Sequence, residues 1–394
     1  MLRRQSTRGK GKEKVSDNEP PEDPPYVAWM KEQQKQGKPS PSIKRLAKPI
    51  RDFAGASTSR GPRHDDTETR GDTDVSDDEL EEIMSESESD ADSDKLAKDW
   101  TEEEVKNVFS VMAANKSPRK DGLPNELFQA HWDLLGKGFM ALAKVFATSA
   151  VLSTEVKEAV MILLHKKGDK DQLNNYRPIT LLNFTYKVLA RVVADRMTKV
   201  LSKVISPEQY GFLLGRRLTD ALGLVADIID TARNNNEDWF LLLFDFRKAF
   251  DSVSRGYLFR TLRSMVFPER LVSWVEGLHK GTQARLLVNG WIGVEVVSGV
   301  RQGCPLASYL FLCAVEPLAQ LVIKRKLGIS KAGERLAYIG HADDITLILE
   351  GKGQLIRAEQ VLEKFEWTSG KSGKNSCLTL GEQPRSDDRP DAQF

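Results

Sequence analysis

Apolar and polar positions along the chain fall into regimes of different period. Residues 1–95 hold few large apolar side chains among many Pro, Ser, Gly, Lys, Asp and Glu. Such a stretch cannot offset the entropy of ordering, so it is expected to be disordered by itself. Beyond it the apolar positions become periodic. Val105, Val108, Phe109 and Met112 follow Thr101 and Glu104, a capping-box pair, and predict a helix over 100–112. Helical spacing recurs over 126–148, 186–205, 219–233, 257–266, 271–280, 306–324 and 359–367. Between these lie short runs of β-formers at 159–164, at 239–244, and at 283–288 with 293–297 around the turn dipeptide Asn289-Gly290. A further hairpin is predicted over 337–350, with the adjacent acids Asp343 and Asp344 at its tip.

Composition adds a sharp segregation of charge. The 394 residues carry 58 basic and 57 acidic side chains, a net charge of +1. The first stretch is basic, with Arg3, Arg4, Arg8, Lys10, Lys12 and Lys14, and 65–94 is almost wholly acidic, with Ser85, Ser87, Ser89 and Ser93 set among the acids. A charged, solvated tail is the plain reading; a nucleic-acid contact or a nuclear address is the sharper one. Cys304, Cys313 and Cys377 are too few for a disulfide framework or a zinc knuckle, so they are read as free thiols in a reducing compartment. The longest apolar runs fall short of the roughly 20 residues of a membrane span, and the basic N-terminus has no apolar segment behind it. The expectation is an intracellular, nuclear and/or cytoplasmic protein with no membrane partner.

The acids carry the candidate chemistry. An isolated Asp-Asp pair is ordinarily a solvated turn. Here a second acid, Asp245, ends the apolar run 239–244, where a buried carboxylate would ask for a cationic partner. Carboxylates from two strands can share divalent cations, and Mg²⁺ prefers oxygen ligands. Two such ions about 4 Å apart suit an in-line displacement at phosphorus.

Several segments in order carry a family resemblance. Phe-Asp-Phe-Arg-Lys-Ala-Phe-Asp at 244–251 and Ala-Asp-Asp at 342–344 resemble the two catalytic motifs of reverse transcriptases, in the style of non-LTR (LINE-type) retrotransposons. Gly-Val-Arg-Gln-Gly-Cys-Pro-Leu at 299–306 is similar to the family's glycine-bearing turn before a helix. Asn-Tyr-Arg-Pro-Ile-Thr-Leu-Leu at 175–182 resembles its fingers motif, and Ser-Pro-Arg-Lys-Asp-Gly-Leu-Pro at 117–124 its N-terminal extension. Gln209-Tyr-Gly-Phe-Leu-Leu-Gly-Arg-Arg217 is similar to a further family segment.

The resemblance implies an α+β right-hand polymerase, with fingers and a palm built on a small antiparallel sheet. The chain's expected divisions are a disordered charged region at 1–95, which the resemblance does not cover, a helical extension of the polymerase core at 96–155, fingers and palm at 156–381, and a polar tail at 382–394. The resemblance implies an RNA-directed DNA polymerase acting on an RNA template, a DNA primer and dNTPs; protein partners are open. Two Mg²⁺, with Mn²⁺ as substitute, would sit on Asp245, Asp343, Asp344 and the Phe246 backbone carbonyl. Lys166, Lys167 and Arg177 would grip the triphosphate, where Arg gives a bidentate fork. Phe250, Gln302 and Gly303 would border the sugar and base. Arg119, Lys120, Arg216, Arg217 and His341 would face template and primer.

Departures from the family pattern are local. His341 stands where Tyr or Phe is usual, His165 replaces a Pro, Ala307-Ser308 replace Ser-Pro, and Cys377 falls where a lysine is expected, leaving Lys371 and Lys374 as fallbacks. No thumb is recognised after the palm, so the chain is read as a truncated or rearranged copy. A catalytically inactive remnant and a nucleic-acid-binding protein that keeps the fold stay open as alternatives.

Overall fold

The computed structural model describes residues 77–84, 94–113, 125–246, 249–251, 253–265, 267–282, 284–288, 291–296, 299–331, 333–369 and 373–380. Most of the charged region, Arg119, Lys120, Lys371 and the tail 382–394 lie outside these residues. The helices are α1 (Asp77–Met84), α2 (Glu102–Val111), α3 (Asn125–Ala130), α4 (Trp132–Ser149), α5 (Thr154–Lys157), α6 (Phe184–Val204), α7 (Leu218–Asn235), α8 (Arg255–Ser264), α9 (Glu269–His279), α10 (Ala307–Lys324) and α11 (Gly351–Ser369). The strands are β1 (Ala159–His165), β2 (Tyr176–Leu182), β3 (Trp239–Phe246), β4 (Ala284–Val288), β5 (Trp291–Val296), β6 (Ile329–Lys331), β7 (Glu334–Leu336), β8 (Tyr338–His341), β9 (Asp344–Glu350) and β10 (Gly373–Leu380).

Two four-stranded sheets and a small hairpin organise these strands. The first sheet has the order β2-β1-β4-β5, with β1 and β4 parallel and the other pairs antiparallel. The second has the order β10-β3-β9-β8 and is antiparallel throughout. Strands β6 and β7 form the two-stranded hairpin.

Period-two alternation decides how the second sheet is covered. Phe240, Leu242, Phe244 and Phe246 of β3, with Ile345, Leu347 and Leu349 of β9, point into the main core. Helix α11 packs against β3 and β9 on that side. On the opposite face, Trp239, Leu241, Ile339 and Ile348 pack with Ala221, Ile228 and Ala232 of α7. That cover stops half way along the strands: Leu243 is 46% exposed, and Asp245 and Asp344 stand in the open beyond it. The apolar run of β3 is therefore buried on both faces for half its length and on one face where its acid begins.

Several elements were not foreseen, among them α5, the β6–β7 hairpin, α1 and β10. Helix α1 lies inside the stretch expected to be disordered. Its Leu80, Ile83 and Met84, at helical spacing, are buried against α8 and α10, and Glu81 and Glu82 face outward. Three apolar residues in an acidic run are enough because a groove of the core receives them. Strand β10 joins the sheet beside β3 although its first residues are polar, because an edge strand needs only backbone partners on one side. Helix α10 is the one described helix long and apolar enough to cross a membrane, and it lies mostly buried as the central core helix.

The helices of 96–155 share one continuous core with the rest. Trp100 stacks edge-on with Phe146 and Trp274 at centroid distances of 5.6 and 5.3 Å. Thr101 caps α2 through the reciprocal bonds of a capping box with Glu104. Arg196 of α6, 3% exposed, seals this seam. Its guanidinium donates to Glu104 at 3.0 and 2.8 Å and to the carbonyls of Leu96, Lys98 and Asp99, and lies over the Trp274 ring. Replacing it leaves those acceptors unpaired at a buried joint. Arg196→Met is expected to cost about 3 kcal/mol in urea unfolding; a change within about 0.5 kcal/mol, the range of ordinary surface substitutions, would contradict this account of the seam.

Candidate active site

Sheet register brings the acids together. Asp245 pairs directly with Asp344 across β3 and β9, and Asp344 pairs with His341 across β9 and β8. Asp343 occupies the two-residue turn between β8 and β9 beside Ala342. Directly opposed residues have β-carbons roughly 5 Å apart, and like charges there repel. The Asp344 carboxyl is accordingly held above its ordinary value, first by partial burial, then by the charges of Asp343 and Asp245, with His341 opposing. Lys374 occupies the register position opposite Asp245 on β10.

Asp245 is exposed, which corrects the expectation of a buried acid. Its need for a counter-charge comes from its acidic neighbours instead of from burial. Among the described residues, no three His, Cys, Asp or Glu groups form a ready-made metal cage. The three acids fit a different kind of site: all-oxygen, open to solvent and electrically coupled. That is the donor set by which Mg²⁺ is bound through one or two carboxylates together with substrate phosphates. Phe246 closes β3 opposite Gly373, its ring in the core 4.7 Å from that of Phe244.

A backbone seam leads from these acids to the first sheet. The turn after β3 accepts hydrogen bonds at the Phe250 and Asp251 carbonyls from Val300 and Gly299. Phe250 is half-buried, its ring 4.8 Å from that of Phe311. Two residues beyond Val300, the Gln302 carbonyl accepts from the Thr180 amide of β2 at 3.0 Å. Gly303 follows at φ 104, and a β-carbon there would lie 2.7 Å from the Thr180 carbonyl oxygen, so this close approach requires glycine. Gln302 and Gly303 are thereby held against the edge strand that carries Arg177.

The cations of the first sheet stand ready on that edge. Lys166 and Lys167 lie in the β1–β2 turn, and Arg177 pairs with Leu164 across the two strands. All three are exposed and have no carboxylate partner among the described residues. His165 braces the turn with a bond to the Gly168 carbonyl and an edge-on contact with Tyr176.

Arg216 and Arg217 part company. The Arg216 guanidinium donates to the carbonyls of Ser202, Ile205, Ser206 and Gln209, closing the end of α6. That is a structural role which the template-facing expectation did not include: four of the five N–H donors of this side chain are committed to backbone carbonyls. Arg217 begins α7 with its side chain exposed. Arg119 and Lys120 lie outside the described residues.

Two arginines that brace the glycine-bearing turn were missed from sequence. Arg301, 2% exposed, donates to the Lys157 carbonyl and lies over the Tyr186 ring, and Arg255 donates to the Gly299 carbonyl. Both fix the turn that presents Gln302. No sequence signal separates such bracing arginines from surface ones.

Comparison with known proteins matches the same span. The family model described as reverse transcriptase (RNA-dependent DNA polymerase) covers residues 164–373. The transposon TX1 uncharacterized 149 kDa protein of Xenopus laevis is 32% identical over 276 residues, 69% of this chain and 21% of that protein. The retrovirus-related Pol polyprotein from type-2 retrotransposable element R2DM of Drosophila melanogaster is 24% identical over 233 residues, 58% of this chain and 22% of that protein. The probable RNA-directed DNA polymerase from transposon X-element of the same fly is 28% identical over 216 residues, 53% of this chain and 23% of that protein. The chain thus spans between a fifth and a quarter of the length of these relatives.

The acid cluster has a consequence for stability. Because folding raises the Asp344 pKa, its ionised form opposes folding; this cost is absent below the unfolded carboxylate range and grows as pH rises through the raised value. Asp344→Asn is expected to raise the melting temperature of metal-free protein at pH 7 by about 1–3 °C. The gain should fade below about pH 4, and Mg²⁺ should stabilise the unsubstituted protein more than the variant. No gain at pH 7, or a gain undiminished at low pH, would contradict the coupling.

Proposed function

The chain belongs to the reverse transcriptase (RNA-dependent DNA polymerase) family, among relatives named for transposons and retrotransposable elements, and we propose that it is the polymerase module of a non-LTR retrotransposon, copying an RNA template into DNA. The second sheet is the palm, and the β1–β2 hairpin belongs to the fingers. The observation that supports this most is the register of Asp245 opposite Asp344 at the uncovered end of the sheet, with Asp343 in the adjoining turn.

In this reading Asp245, Asp343, Asp344 and the Phe246 carbonyl would hold two Mg²⁺, for which Mn²⁺ would substitute. When bound, the ions supply charge neutralisation at the phosphates and acidify the attacking hydroxyl. The primer 3′-oxygen bonds to the α-phosphorus of a dNTP as the α–β bridging P–O bond breaks. Pyrophosphate leaves, and the hydroxyl proton passes to solvent. The chain's own residues position these partners. Arg177, with Lys166 and Lys167, grips the triphosphate by charge-assisted hydrogen bonds. Gln302 and Gly303 form the wall beside base and sugar, and the Phe250 ring occupies the space a ribose 2′-hydroxyl would need. Arg217 meets template phosphate, and His341 packs beside the primer end.

His341 also favours a second reading, in which the copy keeps the fold but has lost turnover. Primer extension on poly-RNA with dNTPs and Mg²⁺ separates the two. The unsubstituted chain is expected to extend the primer, and Asp343→Asn to lose about a thousandfold in rate, several kcal/mol of charge stabilisation. Extension that survives Asp343→Asn would overturn the metal assignment. Extension only after His341→Tyr would establish the inactive copy.

A further inference from the structure

The turn that carries Asp343 is held by a side chain outside the acid cluster. Ala342 sits at φ 61, a left-handed conformation that a residue with a β-carbon adopts only when its surroundings impose it. The surroundings are the segment 206–211. Tyr210 donates its amide to the Gly340 carbonyl at 2.7 Å, and the Gly340 amide donates to the Glu208 carbonyl at 2.9 Å, so this segment runs alongside β8 as a short parallel bridge. Gln209, 2% exposed, turns its amide into the hairpin. Its Oε1 accepts from the Ala342 amide at 2.8 Å and from the Gly211 amide at 2.9 Å, and its Nε2 donates to the Tyr338 hydroxyl at 3.1 Å. A β-carbon on Gly211 would lie 2.3 Å from the Ala342 nitrogen, so the two backbones touch. The segment is anchored in turn: buried Glu316 accepts from the Ser206 amide and hydroxyl, and Arg216 ties the Ser206 and Gln209 carbonyls.

We propose that Gln209 is the positioning residue of the catalytic turn, whose side-chain amide replaces the strand partner that Ala342 lacks and so holds Asp343 in register with Asp245 and Asp344. The inference rests on the polymerase reading for its consequence but not for its geometry. One carbonyl oxygen of a primary amide accepts two backbone N–H groups while its nitrogen reaches the tyrosine, a combination of acceptor and donor that neither Glu nor Leu provides.

Amide hydrogen exchange, read on peptides covering 208–212 and 340–344 of the full chain, tests the geometry. Gln209→Ala is expected to speed exchange there about tenfold while peptides of β3 and α10 stay unchanged. Tyr338→Phe, which leaves both backbone bonds to Gln209 in place, should stay within about threefold. Mn²⁺ affinity followed by electron paramagnetic resonance should weaken about tenfold in Gln209→Ala. In primer extension, kcat should fall about thirtyfold with the dNTP KM nearly unchanged. Adding Ala342→Gly to Gln209→Ala should restore part of kcat, because glycine takes this φ freely. Unchanged exchange at 340–344, or acceleration spread evenly over the sheet, would overturn the proposal. Local loss of protection in Gln209→Ala, with no extension by the unsubstituted chain, would support the positioning role and defeat the polymerase reading instead.

Discussion

Mutual repulsion of three carboxylates is the constraint that the second sheet must satisfy. Asp245 and Asp344 face each other across paired strands, and Asp343 adjoins them in the turn. Left to itself this arrangement would push the strand ends apart. The apolar halves of β3 and β9 resist that, packed on both faces where α7 and α11 cover them. Only the last residues stand uncovered, so the protein places concentrated charge where water reaches it and anchors it through buried residues of the same strands.

The second dependence is on backbone contact between distant segments. The turn after β3 is bonded to Gly299 and Val300, and the next residues dock on Thr180 of β2. These few bonds join the acidic strand ends to the edge strand that carries the exposed Arg177, beside the turn of Lys166 and Lys167. Negative and positive halves of the site are thus set relative to one another by amides and carbonyls, whose geometry is stiffer than that of long charged side chains. Buried Arg301 and half-buried Arg255 brace the same turn from behind. A substrate with dense negative charge at one end and a reacting phosphorus near the acids suits such a division.

Much of this was legible in the sequence, for identifiable reasons. Strand β3 and the β8–β9 hairpin announce themselves because runs of β-formers adjoin acids in two separate places. Thr101 with Glu104, and Asn289-Gly290 between two strands, are local signals whose chemistry requires no tertiary information. Other features depend on what lies opposite. Helix α1 looked like part of an acidic tail because only the groove between α8 and α10 gives Leu80, Ile83 and Met84 a place to go. Strand β10 begins with polar residues and exists as a strand through its pairing with β3. Arg216 and Arg217 are adjacent and chemically identical, yet one closes a helix end and the other faces solvent. Gln209 carries no charge and no periodic signal, and its three hydrogen bonds are visible only once the hairpin is folded against it.

The central claim is that Asp245, Asp343 and Asp344 jointly hold the divalent ions of the reaction. Counting Mn²⁺ bound to a complex of the chain with primer, template and an incoming dNTP tests it most directly. The account predicts two ions per complex for the unsubstituted chain, and fewer for Asp245→Asn with the nucleic acid still bound. An equal count in the two proteins would contradict it, because the acids at the open end of the sheet would then have no part in holding metal.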